Sequence, residues 1–566
     1  MQSESVDYDL LVVGGGINGA GIARDAAGRG LRVLLCEKDD LAAHTSSAST
    51  KLIHGGLRYL EYYEFSLVRK ALQEREVLLR SAPHIIWPLR FVMPHVPALR
   101  PAWLIRIGLF LYDHLSRREF LPASHGVDMR RFPAGQALVD TITRGFVYSD
   151  AWVDDARLVT LNALAAAESG ATIRTRTRIT GASREHGGGM PCWRVQLHDE
   201  TGGDGVVRVR AVANAAGPWV GKLLKEAVTG VASQHGVRLV KGSHIVTRRL
   251  FDHHYAYIFQ NPDKRIIFAI PYEQDFTLIG TTDMEFTGDA SDVKIDASEI
   301  RYLCDSVNRY FKHQIGPDDV VWTYSGVRPL LQEESDNPSA VTRDYHLEMD
   351  ATPGAPPLLS VFGGKITTFR KLAEQAVDKL VQALADLPSE AATGTGAVQT
   401  DAVQTGAAQT GAARAGAVLR PSTTATEPLP GGDMPDADFD AFDRAFARRH
   451  PWLPAPLAHR YCRAYGTRAE RLVGDAHALA DLGEAIAPGL YEAELVYLQA
   501  YEWARSAEDV LWRRSKLGLH LPHEATLRID AWFARGLADT TPARPLPAAD
   551  APPLAHFPRT AVPRHR

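Results

Sequence analysis

The chain has 566 residues, 45% hydrophobic, 23% charged and 8% aromatic, the composition of a soluble globular protein of two or three domains. A formal net charge of −4 gives no global electrostatic case for nucleic acid, so an anion site has to be a local cluster. Four cysteines (Cys36, Cys192, Cys304, Cys462) stand far apart with no CxxC, which argues against a disulfide scaffold or metal ribbon and fits a reducing compartment.

The polar start, MQSESVDYD, does not read as a signal peptide. No uncharged apolar run reaches the roughly 18 residues of a spanning helix. LLVVGGGINGAGIARDAAGRGLRVLLCEK (10–38) reads as strand, glycine turn, helix and second strand. Gly14, Gly16 and Gly19 fit G-x-G-x-x-G at the strand-to-helix turn, where backbone approaches a pyrophosphate at a helix N-terminus. Glu37 ends the second strand, placed to accept ribose hydroxyls and to repel a 2′-phosphate, which disfavours NADP.

TSSASTKLIHGGLRYLE (45–61) follows, dense in hydroxyls and glycines. Residues 82–118 mix Trp87, Trp103, an apolar run at 107–112 and Arg90, Arg100, Arg106, Arg117 and Arg118. That mix fits a segment lying on a bilayer, with Trp87, Trp103, Leu109, Phe110 and Leu111 entering the acyl boundary. The competing reading is an ordinary buried helix. A helix is expected near 154–168, then the alternating segments ATIRTRTRIT, WRVQLHD and VVRVRAVANAAG, a small antiparallel meander. NAAGPW (214–219) is a strand ending in small residues, and RIIFAIPYE with FTLIGTTD is a hairpin. At 363–387 a glycine pair opens an amphipathic helix. A cofactor touched by three distant segments (10–61, 214–219 and 362–371) fits FAD better than NAD.

Residues 391–431 are Ala/Gly/Thr/Gln-rich and read as a disordered linker. Phe439, Phe442 and Phe446 then form a helical stripe, and 493–519 is helical. Residues from 537 on read as a disordered tail.

GGGINGAGIARDAAGRGL, TKLIHGGLRYLEYYEFSLVRKAL, APHIIWPLRFVMP, GSHIV, YSGVRPL and GGKITTFRKLAE together resemble the respiratory, FAD-dependent glycerol-3-phosphate dehydrogenases over roughly 7–390 and 435–525. The resemblance implies an α/β fold: a glutathione-reductase-like FAD-binding domain, a mixed-sheet substrate (cap) domain and a C-terminal α-helical domain. The expected division is 7–81, 148–230 and 352–388 for FAD; 82–147 and 231–351 for the cap; 389–434 linker; 435–536 helical domain; 537–566 tail. It implies oxidation of sn-glycerol 3-phosphate to dihydroxyacetone phosphate, with electrons passed to quinone from the inner face of the cytoplasmic membrane. No nucleic-acid or metal site is expected, and a homodimer stays open.

A phosphomonoester asks for arginine forks. Arg58, Arg328, Arg343 and Lys365 match the motifs as phosphate-side cations, with Tyr59 packing on substrate or flavin. His244 is read as the base, titrating near neutrality, and Arg328 as stabiliser of the developing alkoxide. The other reading makes His244 a buried structural residue and shares the proton with solvent. Cofactor contacts are expected from Gly14, Gly16, Gly19, Glu37, Ser46, Ser47, Lys51, Gly55, Gly56, Ala216, Gly217, Gly363, Gly364, Lys365, Ile366 and Thr367. Three rivals share the pattern: an oxidase using oxygen, a flavin-binding scaffold without activity, and an amine- or amino-acid-oxidising enzyme.

Overall fold

The structure is a computed structural model describing residues 5–96, 101–187, 189–200, 202–231, 233, 235–263, 265–331, 345–387 and 419–538. A first, eight-stranded sheet grows from the glycine-turn unit. Tyr8–Val13 pairs in parallel with Val33–Cys36 and with Gly203–Asn214. Leu358–Phe362 and Thr172–Arg174 extend it in parallel on the two sides. Val33–Cys36 and Leu358–Phe362 are near-continuous apolar runs because both faces are covered. The helix Ile17–Gly28 lies against Asp155–Glu168 and Phe369–Ala385. Its Gly21 brings it close: a Cβ there would lie 2.8 Å from the Phe369 ring. The expected meander is present, Thr177–Gly187, Met190–Asp199 and Gly203–Asn214 pairing antiparallel in succession.

The second sheet has ten strands. Val237–Arg248 runs between Phe276–Gly280 and Val320–Leu331. Ile266–Tyr272 and Phe276–Gly280 form the expected hairpin. The sheet continues through Ala256–Gln260, Ile86–Pro94 and Arg144–Val153 to Leu52–Ile53. Sheet membership crosses the boundaries expected from sequence. His346–Asp350 pairs with Leu358–Phe362 in the first sheet, whereas Leu52–Ile53 belongs to the second. Short alternating segments reveal a strand but not its partner.

The reading of 82–118 as one interfacial segment is overturned for its first part. Ile86–Pro94 is an inner strand paired on both sides. Trp87 lies against Trp152, centroids 5.8 Å apart, so it is not a bilayer residue. The second part is the helix Ala102–His114, which buries Leu109 and Tyr112 and exposes Trp103, Leu104, Ile107, Phe110 and Leu111. Leu109 therefore also leaves the lipid-facing set. Arg90 and Arg106 bond Ser149 and Ser124, and Arg118 pairs with Asp113. Arg100 lies outside the described residues. Among the described residues no helix is long and apolar enough to cross a membrane.

The linker reading fails for its last part. Residues 388–418 lie outside the described residues, but 419–434 are laid along the body. Leu429 is buried and its N–H donates to Ser81 O at 2.8 Å. Arg24 donates to Glu427 O at 3.0 Å, and Arg370 to Thr424 Oγ1 at 3.3 Å. A segment too polar to build a core can still be held on a surface that supplies the partners. Beyond it, the C-terminal unit packs Phe439 and Phe446 into a helical core. It is pinned to the first sheet's face by Arg157–Glu502, Arg176–Asp509 and Arg514–Asp40. The tail expected from 537 lies outside the described residues from 539 on.

Candidate active site

Gly14 and Gly16 sit between the first strand and its helix, and Gly19 lies in the helix's first turn. Gly14 has φ +108°, a conformation open to glycine. A Cβ at Gly19 would strike the Gly14 carbonyl oxygen, so the third glycine lets the helix close on the turn. Glu37 is buried at the end of the adjacent strand. Its Oε2 accepts the Gly15 N–H at 2.6 Å and its Oε1 the Asp39 N–H at 2.9 Å. Burial raises its pKa, and the two N–H groups oppose the shift.

Gly14, Gly16 and Glu37 wall a slot of about 640 Å³, bounded on its other sides by Ser46, His44, Ala216, Gly217, Trp219, Gly363 and Gly364, and the expected contact Gly19 stands off it, packed on the turn. Ser46 Oγ accepts the Ile17 N–H at 3.0 Å, tying the hydroxyl-rich loop to the helix start. Beside the slot lies a second cavity of about 370 Å³. Ile17, Thr45, Ser46, Pro329, Gly363 and Gly364 line both, so the two adjoin along a shared wall.

The second cavity holds the chemistry. Arg58, Arg328 and Lys365 line it with Tyr59, Ile366, Thr367 and Gly56. Lys365 Nζ stands 4.0 Å from the Tyr59 ring centroid. Arg328 donates to Thr282 O at 3.0 Å and pairs with Asp283 at 3.3 Å. Arg265 is a further cation on this wall, and Asp150 and Asp283 are its carboxylates. Four cations against two carboxylates leave the cavity positive, fit for a doubly charged phosphate.

His244 lines the same cavity and is 2% exposed. Its Nε2 meets Thr50 Oγ1 at 3.0 Å, and Nδ1 has no hydrogen-bond partner among the described residues. Burial, then the Lys51 and Arg328 charges, hold its pKa well below 6.5. These surroundings disfavour the imidazolium, in the direction opposite to titration near neutrality.

Several expected contacts stand off the wall. Lys51 is buried behind it, Nζ bonded to Asp155 Oδ1 at 2.7 Å and Ser47 O at 3.2 Å. Ser47 bonds back to His44 O at 3.1 Å. Gly55 gives its N–H to Tyr112 Oη at 2.8 Å, one residue behind the lining Gly56. Arg343 lies outside the described residues. Sequence reasoning missed Arg265, Thr281, Asp283 and Asn18. Arg265 immediately precedes the strand Ile266–Tyr272 with no motif around it, and nothing in its spacing separates it from a surface charge.

Residues 9–370 match the model of the family described as "FAD dependent oxidoreductase", and 422–532 match "C-terminal domain of alpha-glycerophosphate oxidase". A glycerol-3-phosphate dehydrogenase of Pseudomonas aeruginosa is 51% identical over 526 residues, 93% of this chain and 95% of that protein. A D-erythritol 1-phosphate dehydrogenase of Brucella abortus is 50% identical over 532 residues, 94% of this chain and 98% of that protein. The crystal structure of a glycerol-3-phosphate dehydrogenase of Bacillus halodurans complexed with FAD superposes with a TM-score of 0.71 at 25% identity, covering 95% of this chain and 92% of that one.

FAD is the cofactor, and the residues present fit it. The glycine turn and buried carboxylate suit an adenosine diphosphate. Asn18, on the slot wall, has a buried Oδ1 with no partner among the described residues. The slot shares a wall with the cavity of cations.

Proposed function

The chain belongs to the FAD-dependent oxidoreductase family, among the glycerol-3-phosphate dehydrogenases, and we propose that it oxidises sn-glycerol 3-phosphate to dihydroxyacetone phosphate and delivers the electrons to membrane quinone. The observation that carries this is the meeting of four cations and a buried histidine in a cavity that shares six lining residues with the nucleotide slot.

FAD, when bound, accepts the hydride from the substrate's secondary alcohol carbon. Gly14, Gly16, Glu37 and Ser46 would hold its adenosine diphosphate part, with Gly19 closing the helix on the turn. Gly363, Gly364 and the helical turn Ile366–Thr368 bring backbone to the flavin end, where a helix start favours negative charge. Arg328, Arg265, Arg58 and Lys365 take the phosphate, which orients the three-carbon chain toward His244. The neutral imidazole accepts the hydroxyl proton. Its depressed pKa makes it a weak base, so Arg328 matters twice: it binds oxygen and it favours loss of the proton by stabilising the alkoxide.

The exposed face of Ala102–His114 supports attachment to the cytoplasmic side of the inner membrane. Trp103 is 65% and Phe110 53% exposed, with Leu104 and Ile107 between them. Tyr62 and Tyr63, on the turn packed against this helix, are also exposed. A patch of this kind fits a lipid surface, from which quinone would arrive.

Anaerobic addition of sn-glycerol 3-phosphate to the FAD-loaded protein is the test. Bleaching of the flavin band supports the reading, and an unbleached flavin defeats it. D-erythritol 1-phosphate is the second reading, favoured by the equally similar Brucella protein, and belongs in the same titration. Reoxidation by a water-soluble quinone without peroxide separates the dehydrogenase from the oxidase.

A further inference from the structure

Glu299 is a buried acid that the substrate reading does not use. It stands in the first turn of the helix Ala297–Asn308, in a capping box with Asp296. It is 3% exposed. Its Oε2 accepts the Asp296 N–H at 3.1 Å and faces Lys241 Nζ at 2.8 Å. A capping box needs no more than this. Yet Oε1 accepts two further donors, Thr282 Oγ1 at 2.7 Å and Ser243 Oγ at 3.0 Å.

Both hydroxyls belong to residues that carry the site. Ser243 precedes His244. Thr282 gives its carbonyl to Arg328 Nη2 at 3.0 Å, and its Oγ1 accepts the Ser243 N–H at 2.9 Å. The packing is tight: a Cβ at Gly242 would lie 2.7 Å from Arg328 Nη2 and 2.8 Å from Thr281 Oγ1. A line of bonds therefore runs from Glu299 through Thr282 to the guanidinium.

We propose that Glu299 is a positioning residue for phosphate recognition: its carboxylate fixes Thr282, directly and through Ser243, and Thr282 holds Arg328 at the angle that meets a phosphate. The inference rests on the reading of Arg328 as a phosphate ligand. Charge-assisted bonds are the stiff ones, and a ligand fork is only as well aimed as the shell behind it. Glutamine cannot reproduce the arrangement. Lys241 and the Asp296 N–H are donors only, so the amide would have to turn its NH₂ toward the two hydroxyls, and Thr282 would lose its anionic acceptor.

Simple electrostatics makes the opposite prediction. Glu299 is a negative charge near a cation cluster, so neutralising it should tighten anion binding. Positioning says that neutralising it loosens binding. Inorganic phosphate, titrated calorimetrically into the FAD-loaded full-length protein, reads this without turnover. Glu299→Gln should bind phosphate about tenfold more weakly, and in an Arg328→Met background the same change should cost less than about twofold. In turnover, KM for glycerol 3-phosphate should rise by more than kcat falls. Thr282→Val, which breaks the same line one bond further on, should act in the same direction and serves where Glu299→Gln does not fold. Unchanged or tighter phosphate binding in a flavin-replete Glu299→Gln overturns the inference. So does an equal loss in both backgrounds, or a parent protein without phosphate affinity. A parent that binds phosphate but is not reduced by glycerol 3-phosphate removes the proposed function and leaves Glu299 to be judged on phosphate alone.

Discussion

His244 lies flat against Tyr324, ring centroids 4.6 Å apart and planes 14° apart. Behind Tyr324 the row continues to Trp322, which stacks on Trp512 of the C-terminal unit at 4.3 Å. The base candidate is thus set between an apolar stack and the positive charges of Lys51 and Arg328. Both surroundings disfavour imidazolium.

The first prediction concerns acid. His244 is held well below its ordinary pKa, and burial pushes His84 down to about 3. The unfolded chain takes up protons at both residues as pH falls through about 6.5, while the folded chain does not. Their contribution to stability is therefore present above pH 6.5 and is lost toward the folded values. Urea midpoints should fall from pH 7 to pH 5, and His84→Gln should flatten the slope. The rate of anaerobic flavin reduction should pass through pH 6.5 without the acid limb of an ordinary histidine. A limb centred there would return His244 to normal titration.

Arg265 carries the second prediction. It donates to Asp283 O at 3.4 Å, beside the carboxylate that pairs with Arg328. If both arginines bind phosphate, Arg265→Gln and Arg328→Met should each raise KM by roughly 10–150-fold, the equivalent of about 1.5–3 kcal/mol. Flavin content should stay at the parent value. An Arg265→Gln enzyme with parental KM removes that residue from the site.

The third concerns how the C-terminal unit is held. Arg157 Nη2 meets Glu502 Oε1 at 2.9 Å, and the two side chains are 1% and 0% exposed. The same nitrogen bonds Ala464 O at 2.8 Å. Arg157→Met leaves the carboxylate buried without its guanidinium, a loss of about 3–5 kcal/mol. Thermal unfolding of the FAD-loaded variant should begin many degrees lower. A shift of less than about a degree would mean that the pair contributes nothing net.

The parts of the site legible in the sequence are those whose chemistry is local. The glycine turn and Glu37 are fixed within one strand–helix–strand unit, so spacing alone reveals them. Lys51 was open to misreading because its partner, Asp155, is 104 residues away. Trp87 carried the composition of an interface, but strand pairing decided its place, and pairing is a long-range matter. Residues 419–434 offer few core-forming side chains, Leu429 and Met434 among them, yet Ser81, Arg24 and Arg370 supply partners from elsewhere in the chain. Arg265 had no local signal, since a pocket cation and a solvated one look alike until the fold closes around them.

The last prediction joins the helix Ala102–His114 to membrane attachment. One side is spent on the fold: Leu109 is buried, and Tyr112 donates to Asp150 Oδ1 at 2.7 Å. The other side presents Trp103, Leu104, Ile107, Phe110 and Leu111 outward. Each buried methylene contributes about 0.8 kcal/mol, so a few such side chains give reversible binding, stronger on anionic lipid. Trp103→Ser with Phe110→Ser should therefore move the protein to the unbound fraction in flotation with phosphatidylglycerol-containing vesicles. Flavin content and glycerol-3-phosphate turnover with a water-soluble dye should be unchanged, since neither side chain lines the cavities. Turnover with quinone embedded in the vesicles should fall several-fold. Tyr112→Phe separates the two sides of the helix: it keeps the outward face, so vesicle binding should persist. Equal flotation of the double variant and the parent would show that this face does not bind lipid, whatever its exposure.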